Sequence, residues 1–368
     1  MEAQVLSLLE YYSTMPEIRS IKLIQGCRNE GEKKILQKKL TRFHSDITWF
    51  KTWPRYTCFY IPAYRSICKV LDSIEPDKET IIHVRGEHYG GIIQEYLARN
   101  HKRAKLLVDI RGASIEEVSE YYTHLSLLKR NKVRSIKRSY KDLKKNTRIS
   151  VVSGALKSYL VDHHQFNPEN IAINPNIAGT QFTFGIGQRL AKRKEMNIEE
   201  EDRIAICSSG SGAAWQKDHE LIQELTRQKV KVLNLSPKKI ELPGVINISA
   251  PFHEVPAYLA AADMAVLWRD TSMVNEVASP SKFSEFACMG LFVIHNGTVN
   301  LAKEYIMINK AGVIIDVPRQ VREDAIIIPS LEIRKQNAKV GRKYFGIENI
   351  ALSYLNNYNR IIENPDRL

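Results

Sequence analysis

Residues 279–290, SPSKFSEFACMG, bring a serine, a proline, a lysine and a glutamate together at helical spacing. Ser279 is a good N-cap, and Pro280 suits a first helical position, where its missing N–H would have no partner. The amides that open such a helix, with the helix dipole behind them, attract an anion, and Lys282 adds a full charge in the first turn. Glu285 lies three residues beyond Lys282 and four beyond Ser281, so all three share a face. A carboxylate one turn inside a phosphate-binding helix end is suited to accept hydrogen bonds from ribose hydroxyls. Phe283, Phe286, Ala287 and Met289 point elsewhere, into a core. The plain alternative is a capped helix in which Lys282 and Glu285 merely pair.

Arg269 ends the preceding strand, in VLWRDTSMVNEVASPSK. An arginine there, opposite a helix N-terminus, is placed to clamp a diphosphate by two parallel hydrogen bonds. Upstream, Ser208–Trp215 (SSGSGAAW) follows a strand and opens a helix. Gly210, Ser211 and Gly212 form a loop whose glycines let backbone approach a phosphate or a sugar. Trp215 stands where the third glycine of GxGxxG belongs, which weakens a dinucleotide-binding reading.

The elements that must position these residues alternate from end to end. Apolar runs and helical patterns succeed each other, the signature of an α/β protein with parallel sheets. Ile21–Ile24, Ile81–Val84, Leu106–Ile110 and Ile149–Val152 read as strands in the first half, with helices at Tyr89–Arg99 and over Ser114–Asn146. The second half restarts at Arg203–Cys207 and continues through strands at Val230–Leu233, Val245–Ile248, Met264–Trp268 and Leu291–His295. Helices are expected between them at His219–Arg227, Val255–Ala262 and Ser281–Met289. Residues 1–180 and 200–345 are therefore expected as two doubly wound domains joined by a linker at 181–199. The amphipathic helix within 347–368 would pack back on the first. Ligands in such sheets bind beyond the carboxyl ends of the strands, here in a cleft between the domains.

The chain has 368 residues and a net charge of +13. That balance favours an anionic partner. Lys129–Arg148 carries much of the excess, with Asp142 its only acid. Val133, Ile136, Tyr140 and Leu143 recur along it at helical spacing, as on a helix lying against an anionic membrane face. A solvated helix face is the alternative. Nucleic acid is not expected, because no binding motif accompanies the charge. No apolar run is long enough to span a bilayer and no secretory signal opens the chain, so a cytoplasmic protein, peripheral on the inner membrane face, is expected. Cys27, Cys58, Cys68, Cys207 and Cys288 are odd in number and form no CxxC pair, which fits a reduced compartment and no structural zinc.

The run WRDTSMVNEVASPSKFSEFACMGLFVIHNG resembles the donor-binding region of retaining family 4 glycosyltransferases of the GT-B fold. The matching residues are Arg269, Asn275, Pro280, Lys282, Glu285, Gly290, Val293 and Ile294. Phe286 and Phe292 replace the usual tyrosine and proline, and Val277 stands where the family's first paired glutamate would be. The resemblance implies that Arg269 and Lys282 hold the diphosphate of a nucleotide sugar and that Glu285 binds the ribose, without a metal or other cofactor. It implies transfer of a hexosyl-type group to an acceptor hydroxyl with retention at the anomeric carbon. The acceptor would be a glycan or lipid-linked sugar in bacterial surface polysaccharide or glycolipid assembly. In the first half, HVRGEHYGG (His83–Gly91) and DIRG (Asp109–Gly112) sit where the family places groups that touch sugar and acceptor. There Arg85, Gly86 and Arg111 would meet an acceptor phosphate, and His83 or His88 the transferring sugar. Asp263 would do a structural job. The chain opens inside the first helix, at Glu2–Tyr12, so the strand that begins this fold is expected to be lost or to lie upstream. A sugar-nucleotide 2-epimerase and a non-catalytic partner subunit of the same fold are the alternatives.

Overall fold

The structure, a computed structural model, describes residues 2–40, 46–52, 60–122, 126–143, 147–208, 219–321 and 328–363. Two compact units form, Leu8–Asn174 with Ala351–Leu368, and Met1–Ser7 with Pro175–Ile350. They are called here the N-terminal and C-terminal units.

The N-terminal unit runs α1 (Ser7–Ser13), β1 (Lys22–Cys27), α2 (Glu30–Leu40), β2 (Asp46–Lys51), α3 (Tyr60–Ile74), β3 (Ile81–Arg85) and α4 (Glu87–Arg99). It continues with β4 (Lys105–Ile110), α5 (Ser114–Tyr121), α6 (Ser126–Leu143), β5 (Arg148–Val151), α7 (Gly154–His164) and β6 (Ile171–Ile173). Strands β3-β4-β5-β6 form one parallel sheet in that order, and β1 and β2 a separate parallel pair. β4 is buried along nearly all its length, as its apolar run LLV suits in a strand covered on both faces. Glycines explain how α4 comes so close. A Cβ on Gly90 would lie 2.6 Å from Val108, and one on Gly91 2.6 Å from the Ser139 backbone. The helix expected over 114–146 is therefore two, α5 and α6. Ile136, Tyr140 and Leu143 of α6 are buried in the unit, while Arg130, Arg134, Lys137, Arg138 and Lys141 are exposed. The apolar stripe that suggested a membrane-lying helix thus packs largely inside, and the basic face is left outward.

The C-terminal unit comprises α8 (Ile186–Glu195), β7 (Ile204–Ser208), α9 (His219–Arg227), β8 (Lys231–Leu235), β9 (Val245–Asn247), α10 (Val255–Ala261) and β10 (Met264–Leu267). Then come α11 (Met273–Glu276), α12 (Ser281–Cys288), β11 (Phe292–His295), α13 (Asn300–Asn309), β12 (Gly312–Ile314) and α14 (Leu331–Phe345). The last helix, α15 (Ile347–Glu363), starts in this unit and ends in the other. All six strands are parallel, in the order β9-β8-β7-β10-β11-β12. Numbered from β7 this is 3-2-1-4-5-6, the Rossmann order. Ile204, Ile206, Leu233, Ala265, Phe283, Phe286 and Val293 meet in one core beneath it. The stretch 181–199, expected as a linker, carries α8, which belongs to this unit and packs on α10.

Helix α12 is seated by small residues. At Gly341 of α14 a Cβ would overlap the Ala287 carbonyl, so the two helices touch backbone to backbone. Gly341→Ala should lower stability by about 1–3 kcal/mol, the cost of overpacking a filled interface. Denaturant unfolding checks this, and an unchanged midpoint would mean that α14 can move away freely. Among the described residues, no helix is long and apolar enough to cross a membrane.

Candidate active site

In the C-terminal sheet the strand order reverses between β7 and β10, and ligands of such sheets bind outside the carboxyl ends at that point. Arg269 follows β10 by two residues. Its main chain is held by Asn296, which accepts from the Arg269 N–H at 3.5 Å and donates to its carbonyl at 2.5 Å. The Thr298 hydroxyl donates to the same carbonyl at 3.4 Å. The half-buried guanidinium donates from Nη1 to Asn275 Oδ1 at 3.1 Å. His295, at the end of β11, has Nδ1 2.7 Å from the Leu267 carbonyl, and Nε2 accepts from the Val299 N–H at 3.2 Å. Burial lowers its pKa, so a neutral ring ties the ends of β10 and β11 together. Sequence reasoning missed His295, Asn296 and Thr298. Their one signal is the HNG that follows the strand, with Gly297 at φ 76°.

Helix α12 lies between β10 and β11 in the chain, so its N-terminus falls at the carboxyl edge of the sheet. It begins at Ser281, as expected, but its N-cap lies one residue later than Ser279. Pro280 is the N-cap and no side chain caps the helix. The Ser279 hydroxyl accepts instead from the Asn176 N–H at 3.0 Å, and the Asn176 side-chain amide donates to the Ser279 carbonyl. Ser284 Oγ donates to the Asn176 carbonyl at 2.6 Å. The amides of Phe283 and Ser284 turn back to the Pro280 carbonyl, which leaves those of Ser281 and Lys282 to lead the helix.

Lys282 Nζ lies 2.9 Å from Glu285 Oε2, with side-chain exposures of 22% and 2%. The pairing named above as the plain alternative is therefore present. Burial raises the Glu285 pKa, and the Lys282 charge pulls the other way. Phe283, Phe286, Ala287 and Met289 are all buried, as their spacing requires. Val277 is buried too, and the neighbouring Glu276 is exposed and accepts from Asn300 at 3.3 Å. Gly210, Ser211 and Gly212 lie outside the described residues.

Behind this edge, Asp263 joins two arginines of α8. Its carboxylate is 2.5 Å from Arg189 and 2.8 Å from Arg193, and it accepts from the Ile204 N–H at 2.9 Å. Arg189 and Arg193 also donate to the carbonyl of Ala261, and Arg334 of α14 donates to those of Leu259, Ala262 and Met289. Burial pulls the Arg334 pKa down to about 9. Three guanidinium groups thus cap the carboxyl end of α10, and one carboxylate ties two of them, Arg189 and Arg193, to the starts of β7 and β10. Arg189 and Arg193 went unrecognised because RLAKRKE reads as a solvated charge run.

In the N-terminal unit, Arg85 is the exposed last residue of β3, in register with Asp109 of β4. Gly86, at φ 95°, needs glycine, and its N–H donates to the Asp109 carbonyl at 2.9 Å. Arg111 lies 3.1 Å from the Asp109 carboxylate, and the Tyr354 hydroxyl of α15 donates to Asp109 at 3.2 Å. Arg111 thus pairs with the Asp109 carboxylate, and Arg85 stands beside that pair at the exposed end of β3.

His83, read from the sequence as a candidate for contact with the transferring sugar, lies inside β3. It is the third residue of β3, with Nδ1 2.7 Å from the Tyr358 hydroxyl and its ring 5.1 Å from that of Tyr354. Burial lowers its pKa, so it serves as a neutral packing residue beneath α15. His88 faces α6, 2.9 Å from Ser135 Oγ, and burial lowers its pKa to about 4.

No protein-family model and no curated protein sequence matches the chain. Solved structures do. A glycosyltransferase from Rickettsia africae ESF-5 is similar at 14% identity over 94% of this chain and 100% of that one, with a TM-score of 0.67. Anabaena HepE, solved in complex with UDP and glucose, is 12% identical over 91% of each chain, with a TM-score of 0.65. Sucrose-phosphate synthase from Thermosynechococcus elongatus is 14% identical over 87% of this chain and 84% of its own, at 0.61. At these identities the likeness bears on architecture. The chain has the GT-B fold, built from two Rossmann-like parallel-sheet units.

Proposed function

We propose that this chain is a retaining glycosyltransferase of family 4, which moves a hexosyl-type group from a nucleotide diphosphate sugar to an acceptor hydroxyl. One observation carries this. Arg269 and the uncapped start of α12, with Lys282 in its first turn, stand on the carboxyl edge of a sheet whose order reverses beside Arg269. In the reaction, the bond from the anomeric carbon to the diphosphate breaks and a bond to the acceptor oxygen forms. The nucleoside diphosphate leaves with the electron pair, and the acceptor hydroxyl loses its proton. Arg269, Lys282 and the leading amides neutralise the leaving group without a metal. Glu285 takes the ribose hydroxyls, with Lys282 turning from Glu285 to the diphosphate. UDP is a reasonable first nucleotide to test, because HepE has been solved with it. Arg85, Gly86 and Arg111 receive an anionic acceptor such as a lipid-linked glycan phosphate. The exposed basic face of α6 meets an anionic membrane by charge alone, a contact that salt would weaken.

Glu285 offers the test. Its folded pKa is raised, so between the unfolded value near 4.5 and the folded value the native state holds the extra proton. Stability therefore falls as pH rises through that window, and above it the buried carboxylate is a net cost. Glu285→Gln should leave the melting temperature at pH 7 equal or higher. It should also slow release of nucleoside diphosphate from the best of a panel of UDP-, GDP- and ADP-sugars at least tenfold, about 1.4 kcal/mol. Unchanged kinetics would remove Glu285 from the site.

A further inference from the structure

Asn275 falls within the donor motif, yet its side chain is entirely buried, whereas that of Arg269 is only half-buried. Its amide bonds to the turn that carries it and to Arg269. Nδ2 donates to the Asp270 carbonyl at 3.0 Å, to the Asp270 carboxylate and to Ser272 Oγ at 3.2 Å. Carbonyl and carboxylate oxygens can only accept, so the amide nitrogen must face Asp270. That leaves Oδ1 toward Arg269 Nη1, at 3.1 Å. The four-residue α11 that carries Asn275 is itself capped by Ser272, whose Oγ accepts from the Asn275 N–H at 3.3 Å.

From this we infer that Asn275 is a positioning residue: it acts on the donor diphosphate only through Arg269, by holding the plane of the guanidinium. The inference rests on the donor site proposed above. A planar guanidinium binds a diphosphate by parallel hydrogen bonds only when its plane is set, and a long side chain otherwise loses rotamer freedom on binding. Asn296 fixes the main chain of Arg269 and Asn275 its head, so the residue is pinned at both ends.

A double-mutant cycle separates this role from direct contact. Calorimetric affinities for UDP, GDP and ADP, and for the matching nucleosides, would be measured on wild type, Asn275→Ala, Arg269→Ala and the double variant. Asn275→Ala should weaken the preferred diphosphate about tenfold and leave its nucleoside unchanged. In the Arg269→Ala background the same change should do nothing further. Losses that multiply in the double variant, or a nucleoside affinity that falls as far as that of the diphosphate, would overturn the inference. If Asn275→Ala does not fold, Ser272→Ala serves in its place, with a loss of about threefold that must vanish in the Arg269→Ala background. A loss that persists there overturns the inference equally. If the wild type binds none of the three diphosphates, the donor site itself is wrong, and this inference falls with it.

Discussion

Arg269→Ala should lower kcat for sugar transfer by about 10²–10³-fold, the range seen when one preorganised donor to a developing charge is removed. The diphosphate gains its charge as the glycosidic bond breaks, so the guanidinium counts for more in the transition state than in the bound donor. Both kcat and kcat/KM should therefore fall together. Arg269→Lys should recover only part of the loss, because an ammonium is a point charge without the planar fork. Stability should change little, since the guanidinium is half-buried at an edge and not in a core. Steady-state release of nucleoside diphosphate reads all of this. A raised KM at full kcat would instead assign Arg269 to ground-state binding alone.

Asp263→Ala should cost about 3–5 kcal/mol of stability, the penalty for removing one partner from a buried charge pair. Arg189 and Arg193 lie on either side of the carboxylate at 2.5 and 2.8 Å, and Arg334 caps the same helix end. Without Asp263, the buried guanidinium groups of Arg189 and Arg193 would face only backbone carbonyls. The Ile204 N–H at the start of β7 would lose its acceptor as well. Denaturant unfolding of the variant should show a much earlier transition for the C-terminal unit. A loss under about 1 kcal/mol would mean that water reaches the arginines and screens them.

Much of this architecture was legible because parallel strands buried on both faces must be apolar along their length. Met264–Leu267 and Phe292–His295 announce themselves in that way. β2, carrying Trp49 and Lys51, and the three-residue β12 did not, since short or half-exposed strands lack the signal. Helix α12 could be read from Pro280, Lys282 and Glu285, whose spacing is local. The cap could not, because what holds Ser279 is Asn176, about a hundred residues away. Asn275 entered as a motif match, and only the structure shows that it is buried and bonded to Arg269. His83 looked like a site residue by its place near a glycine, and α15, from the far end of the chain, covers it through Tyr358. Side chains that bond across long sequence distances are the ones a linear reading cannot place.

The central claim is that the edge formed by Arg269 and the start of α12 binds a nucleoside diphosphate. Isothermal titration of the intact chain with UDP, GDP and ADP tests it most directly. One of the three should bind saturably, with an affinity that falls at least tenfold in Lys282→Ala. No binding by any of them, or binding that Lys282→Ala leaves unchanged, would contradict it.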